Sequence, residues 1–140
     1  MGDLKAFMQP PVTDVTKDVV ISERFKDENG KVQPFTIRVI NQEVNDNIKK
    51  QCSMPMKKNG VVVGSTLDTD KYTKMLLQAC TVTPNFKAAE LCDFYKTRDS
   101  LEVPGRMLTA GEYNKLMKEI NRLNGFVENE DETLKEEAKN

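Results

Sequence analysis

Apolar residues recur at three- and four-residue spacing between positions 113 and 123, which predicts an amphipathic helix. The positions that share its apolar face are Tyr113, Leu116, Met117, Ile120 and Leu123. Thr109 and Glu112 have the spacing of a capping box at the start of this helix. Gly125 stands where a left-handed C-terminal residue is expected, and Phe126 can fold back onto the last turn. The pattern therefore predicts a helix with a defined beginning and end.

Alternating apolar positions predict two strands before residue 40. The alternating sets are Val19, Ile21 and Phe25 in the first strand and Phe35, Ile37 and Val39 in the second. Asn29-Gly30 between them supplies the positive backbone angles of a hairpin turn. Pro34 cannot donate a ladder hydrogen bond, so the second strand starts there or lies at an edge. An N-terminal β-hairpin is therefore predicted.

Three further segments have helical spacing of apolar residues. Asn41 caps a predicted helix with Val44, Ile48 and Cys52 on one face, and Asp68 or Thr69 opens the next. That second helix carries Tyr72, Met75, Leu76, Leu77, Ala79 and Cys80. Pro84 ends it, and Asn85 caps a third, packed helix with Phe86, Ala89, Leu91, Phe94 and Tyr95. Residues 97–106, with Pro104 and Gly105, are predicted to be a connection. Residues 53–65 are interpreted as either a second hairpin around Asn59-Gly60 or a mobile flap, and both alternatives stay open.

These elements predict an α+β fold, in which a small antiparallel sheet built on the N-terminal hairpin packs against about four α-helices. Residues 1–17 are predicted to form an arm, because Pro10 and Pro11 follow a short apolar segment. Residues 18–126 are predicted to form a single globular α+β domain. Residues 127–140 hold six acidic residues and two lysines, a local charge of −4. We expect an acidic, mobile C-terminal tail there, since Leu134 and Ala138 cannot offset the entropy of ordering it.

Composition disfavours catalysis and nucleic-acid binding. The 140 residues include no histidine, so the usual general base and the commonest zinc ligand are missing. The net charge of −1 gives no overall attraction to nucleic acid or to an anionic membrane. No apolar stretch approaches the ~20 residues of a membrane span, and the N-terminus lacks a secretory pattern. We therefore expect a non-enzymatic protein that acts neither on nucleic acid nor in a membrane.

Candidate chemical groups do not form a site in the sequence. Cys52, Cys80 and Cys92 have no metal or disulfide spacing and are interpreted as free thiols. The glycines lack the continuation of a phosphate-binding loop. The DENG sequence at Asp27–Gly30 lacks the distal glutamate of a calcium loop. No catalytic, cofactor-binding or metal-binding residue is predicted, and no cofactor.

The function that remains after these exclusions is binding to another protein through the surface. Flexible methionines suit varied apolar partners. Met75 and Met117 lie on helical core faces. For Met54 and Met56, core filling and partner binding are equally favoured interpretations. The Met54–Val63 segment and the acidic tail have too few apolar residues to be fixed in the core. The candidate partner-binding residues are Met54, Met56, Val61, Val62, Val63, Phe126 and Leu134.

Three motifs mark the last helix: the Met107-Leu108 pair, the Gly111-Glu112-Tyr113 entry and the closing Asn124-Gly125-Phe126. Together they resemble the XkdN-like tail assembly chaperones of contractile-tailed phages and PBSX-type prophages. The segments VVISERF and FTIRVI, the helix after Asn41, the entry at Asp68–Tyr72 and the stretch from Pro84 extend the resemblance over nearly the whole chain. None of these motifs is catalytic.

The resemblance implies a chaperone in the cytoplasm of the host bacterium that binds the tape measure protein and helps recruit tail tube subunits. It also implies absence from the mature virion. A frameshifted longer form of the chain is a further candidate partner, because Ala138-Lys139-Asn140 can be encoded with a slippery run of A. The alternative is a structural virion component, either a tail or a head-tail connector subunit.

Overall fold

The computed structural model describes residues 3–126, and the predicted tail at 127–140 lies outside this range. The strands in this range are β1 (Thr16–Val19), β2 (Phe35–Arg38), β3 (Ser53–Lys58), β4 (Val61–Leu67) and β5 (Thr81–Thr83). The α-helices are α1 (Gln42–Gln51), α2 (Thr69–Cys80), α3 (Ala89–Phe94), α4 (Val103–Met107) and α5 (Ala110–Asn124). Short 3-10 helices lie at Leu4–Phe7 and Ser100–Glu102. The predicted α+β class is confirmed.

The central sheet has the strand order β1-β2-β5, and both pairings are antiparallel. Phe35 and Ile37 alternate along β2 and are 2% and 0% exposed, so one face of the sheet is covered. The buried residues packed together with that face include five from α2 and α5, which are Leu76, Leu77, Cys80, Leu116 and Ile120, and three from the segment between these helices, which are Phe86, Val103 and Leu108. The core therefore lies between the central strand and these two helices.

The N-terminal hairpin is present, but its first strand lies earlier than predicted. β1 spans Thr16–Val19, and Val19 pairs with Phe35 at the end of the ladder. Pro34, directly before β2, has no N–H with which to extend the ladder. The chain from residue 20 consequently leaves the sheet, although Ile21 is buried and the Phe25 ring lies 5.3 Å from that of Phe35. Of the residues predicted to share a strand face, Val19 and Ile21 are buried and Phe25 is half-buried against the core, whereas the predicted strand bounds of 19–25 are wrong.

The Asn29-Gly30 turn closes a small loop between β1 and β2, next to an isolated bridge of Lys26 to Val32. Of the two turn residues only Gly30 has a positive φ, at 78°. Asp27 organises the rest, because its Oδ1 accepts hydrogen bonds from the backbone N–H of Asn29 and of Lys31, both at 2.9 Å. The turn is therefore held by hydrogen bonds to the Asp27 carboxylate, and Asn29 does not adopt the positive φ that was predicted for it.

The predicted limits of α5 are confirmed. Thr109 Oγ1 accepts from the Glu112 N–H at 3.1 Å, and Glu112 Oε1 accepts from the Thr109 N–H at 2.9 Å. At the other end Gly125 has φ 71°, and the Phe126 N–H donates to the Asn121 carbonyl at 2.9 Å. This is the hydrogen-bonding pattern of a left-handed C-terminal cap.

The predicted starts of α1 and α2 are also confirmed. Asn41 Oδ1 accepts from the Val44 N–H at 3.0 Å, and Asp68 Oδ1 accepts from the Lys71 N–H at 3.1 Å. The Tyr72 hydroxyl of α2 donates to Asn45 of α1, which satisfies a buried amide. Each helix is thus capped by the side chain of the residue directly before it, and the Tyr72–Asn45 hydrogen bond links the two helices.

Three features between α2 and α5 differ from the sequence prediction. Strand β5 follows α2 directly and was not predicted, because three residues, T-V-T, are too short to show an alternating pattern. The helix expected from Asn85 begins only at Ala89, and Phe94 is 75% exposed rather than packed. The predicted connection contains α4, where Pro104 in the first turn needs no hydrogen-bond partner for its nitrogen.

Candidate partner-binding surface

Strands β3 and β4 form a hairpin, which decides between the two alternatives left open for residues 53–65. Lys58 pairs with Val61, so Asn59-Gly60 is a two-residue loop. Both loop residues have positive φ, 54° for Asn59 and 80° for Gly60. Such a loop matches the twist of antiparallel strands, and Asn-Gly is its preferred sequence.

The hairpin is fixed at its base and exposed beyond it. The Asp68 N–H donates to the Cys52 carbonyl at 2.7 Å, which closes the base between α1 and α2. Cys52 is 1% exposed, and its Sγ lies 3.6 Å from Met75 Sδ. By contrast, every residue of β3 is exposed, and so is every residue of β4 before the half-buried Leu67. Neither face of the hairpin is covered within residues 3–126.

Five of the seven predicted binding residues lie on this hairpin. They are exposed by 41% at Met54, 46% at Met56, 63% at Val61, 60% at Val62 and 59% at Val63. Contiguous exposed apolar side chains are uncommon on monomeric proteins and mark interaction sites. The structure therefore brings these five residues together on one hairpin, which we call the apolar hairpin, and it places Val62 on the opposite face from Val61, Met54 and Met56.

The edges of the apolar hairpin differ from each other. β3 contains Pro55, which has no backbone N–H to donate. β4 has seven residues without proline, and a bulge lies where Met56 pairs with Gly64 and Lys57 with Val62. This register leaves Val63 as the unpaired extra residue. Proline in β3 and a bulge in β4 both limit the pairing of a further strand along these edges.

The remaining two predicted residues do not join the hairpin. Phe126 is half-buried and packs against the core at the end of α5. Leu134 lies outside the described residues. Their role in binding stays a prediction.

The sequence did not indicate a second exposed apolar feature beside α3. Phe94, Leu91, Ala88 and Pro84 line a shallow depression of about 380 Å³. The Phe94 ring stacks edge-on against Tyr95, with 4.9 Å between ring centroids. Phe94 falls at the helical spacing of a buried position, so no pattern in the sequence distinguishes it from a core residue.

Cys52 and Cys80 are placed for packing rather than for chemistry. Cys80 is fully buried, and burial raises the pKa of its thiol to about 11. Burial also raises the pKa of Cys52. A raised pKa keeps a thiol protonated and unreactive at neutral pH. Among residues 3–126 there is no group of three metal-ligating side chains that could hold an ion.

None of the helices in the described part of the chain is long and apolar enough to cross a membrane.

Comparison with known protein families shows the class to which this fold belongs. The family described as phage XkdN-like tail assembly chaperone protein matches residues 4–139. The match covers the sheet, all five described helices and the apolar hairpin. The chain belongs to the XkdN-like family of phage tail assembly chaperones.

Individual relatives agree with this assignment. The uncharacterised protein YqbN of Bacillus subtilis (strain 168) is 36% identical over 140 residues, covering 99% of this chain and 93% of YqbN. The phage-like element PBSX protein XkdN of the same organism is 34% identical, with 99% and 94% coverage. A crystal structure of the protein YqbN superposes with a TM-score of 0.71 at 32% identity, covering 91% of this chain and 99% of that chain.

Proposed function

We propose that this chaperone binds the tape measure protein of a phage tail, helps recruit tail tube subunits to it, and leaves before the virion is complete. It acts in the host bacterial cytoplasm and without catalysis. The apolar hairpin is the observation that carries the proposal. In a chain of the tail assembly chaperone family, it presents three consecutive valines that are each at least 59% exposed.

The physical task suits such a surface. A tape measure is a long, largely helical polypeptide whose repeated apolar stripes self-associate in water until the tube encloses them. Many copies of a small charged domain can cover these stripes by weak contacts. Charged residues make up 31% of the chain, so the covered complex stays soluble. Weak individual contacts also let tube subunits displace each copy.

The hairpin valines provide a test of this function. We expect the triple substitution Val61→Thr, Val62→Thr and Val63→Thr to reduce co-purified tape measure protein by roughly tenfold, a loss of about 1.4 kcal/mol in binding. Threonine keeps the β-branched shape while replacing a methyl group with a hydroxyl. The measurement is a pull-down after co-expression of the chain with the neighbouring tape measure gene product.

The matched control is Val82→Thr on β5, where the side chain is 45% exposed but lies outside the hairpin. This variant should recover as much tape measure protein as the unsubstituted chain. Both variants should unfold at the same thermal midpoint as the unsubstituted chain. Tape measure protein that stays soluble when it is expressed without this chain would count against the proposal.

Composition of the finished particle distinguishes assembly factors from structural parts. We expect mass spectrometry of purified tails to find no stoichiometric amount of this chain. A fixed number of copies per particle would instead support the alternative, a tail or head-tail connector subunit.

A further inference from the structure

The apolar hairpin and the end of α1 carry four lysines in a stretch of sequence that holds no acid, between Asp46 and Asp68. The sequence from Asn47 to Leu67 contains four lysines and no aspartate or glutamate, a local charge of +4. The lysines are Lys49, Lys50, Lys57 and Lys58, and all four are exposed. None of their ammonium groups forms an ion pair within residues 3–126. This surface therefore favours an acidic binding partner.

The chain itself contains a segment of matching chemistry. Residues 127–140 have a local charge of −4, equal and opposite to that of 47–67. Val127, Leu134 and Ala138 are interspersed among the acids and can contact exposed valines. Charge and apolar content both complement the hairpin.

The connection of α5 to the sheet places the hairpin within reach of this segment. Asn124 Oδ1 accepts from the Ile40 N–H at 2.9 Å, so the end of α5 adjoins the start of α1. Helix α1 rises roughly 15 Å toward the hairpin, and β3 adds roughly 20 Å more. A fourteen-residue segment can extend roughly 46 Å. The segment after Phe126 is thus long enough to reach the Asn59-Gly60 tip.

We propose that the acidic segment 127–140 docks on the apolar hairpin of the same chain, pairing with its lysines and covering its valines. A tethered segment meets the hairpin at a much higher effective concentration than a second copy does, which favours binding within one chain. The ion pairs are exposed, so salt weakens the docking. Docking concerns the free chain, so it is tested in the absence of tape measure and tail tube proteins.

Zero-length crosslinking tests the docking directly. A carbodiimide joins a lysine to a carboxylate that touches it, and peptide mass spectrometry locates the bond. In full-length protein at low salt we expect Lys57 or Lys58 to be joined to an acid at 128–137. The yield should exceed that at Lys115 and Lys118 at least fivefold. These two control lysines are exposed on α5, which is closer in sequence to the acidic segment. Salt at 0.5 M should abolish the difference.

An equal mixture of unlabelled and ¹⁵N-labelled protein distinguishes docking within a chain from docking between chains. Intrachain bonds give crosslinked peptides that are either both light or both heavy, as the proposal requires. A mixed light-heavy population equal to the unmixed one would overturn the proposal in favour of a second copy. Equal yields at the hairpin and control lysines would overturn it as well.

Hydrogen exchange gives a second readout that does not depend on crosslinking. The variant replaces each of the six acids by its amide: Glu128→Gln, Glu130→Gln, Asp131→Asn, Glu132→Gln, Glu136→Gln and Glu137→Gln. We expect the backbone amides of 53–67 to exchange several-fold faster in this full-length variant at low salt. Unchanged exchange there would contradict docking. The amides of α5 are the internal control, and their exchange should stay the same.

Discussion

Glu112 performs two tasks with one carboxylate. It completes the capping box of α5 and also accepts hydrogen bonds from Arg24 Nε at 2.8 Å and Nη2 at 2.7 Å. Arg24 Nη2 further donates to the Met107 carbonyl at 2.6 Å. The Arg24 hydrogen bonds are the main reason that the pKa of Glu112 is lowered to about 2, with the Thr109 N–H and Ser22 adding to this and partial burial opposing it. The residue therefore links the start of α5 to the loop after β1.

The lowered pKa predicts a pH-dependent contribution to stability. A carboxylate with a depressed native pKa stabilises the fold above its unfolded pKa of about 4.3. This contribution is lost as the pH falls toward 2. We expect Glu112→Gln to lower the free energy of unfolding by about 1 kcal/mol at pH 7, because Arg24 is half exposed and the pair is screened by solvent.

The difference between this variant and the unsubstituted chain should disappear near pH 2. Urea titrations from pH 7 to pH 2 measure it, with the exposed Glu28→Gln as the control variant. A difference of equal size at both ends of the range would show that Glu112 acts through packing and not through its charge.

At the scale of elements, two glycines of α5 form a matched pair. Gly125 has φ 71° and ends the helix, whereas Gly111 lies in its first turn without a positive φ, and a Cβ added at either position would point into open space. We expect Gly125→Ala to destabilise the fold by about 1 kcal/mol, since alanine is strained in the left-handed region. Gly111→Ala should stabilise it by about 0.5 kcal/mol, because alanine loses less entropy in a helix.

Thermal unfolding of the two variants checks the sign of each effect. If both substitutions shifted the midpoint in the same direction, backbone conformation would not be the cause.

The predictability of each element follows from where its stabilising contacts lie in the sequence. The caps of α1, α2 and α5 come from residues within a few positions of the helix ends, so local spacing was enough to predict them. The end of β1 depends on its partner across the sheet, and β5 forms through its pairing with the distant β2. Neither pairing is visible in local spacing.

The features of the candidate site likewise separate into those that local sequence predicts and those that depend on packing. The Asn59-Gly60 turn is a local signal that predicted the hairpin as one of two alternatives. The exposure of both its faces depends on the absence of any covering element among residues 3–126, which is a property of the assembled domain. The exposure of Phe94 likewise depends on packing, and so it was missed.

At the scale of the whole molecule, the core and the proposed binding surface use separate residues. Leu77 is fully buried between α2 and the sheet, whereas Val62 is 60% exposed on the hairpin. We expect Leu77→Ala to lower the free energy of unfolding by about 2–5 kcal/mol, through lost apolar burial and the cavity left behind. Val62→Ala should change it by less than about 0.5 kcal/mol.

Guanidinium titrations measure both values. A loss above about 1 kcal/mol for Val62→Ala would mean that the hairpin supports the core.

The hydrogen bond between the Asp68 N–H and the Cys52 carbonyl, 2.7 Å long, brings the two ends of the hairpin together. The fifteen residues from 53 to 67 therefore leave and re-enter the domain at one point. The length or sequence of the proposed binding surface can thus change while the hydrogen bond at its base and the core beneath it are kept.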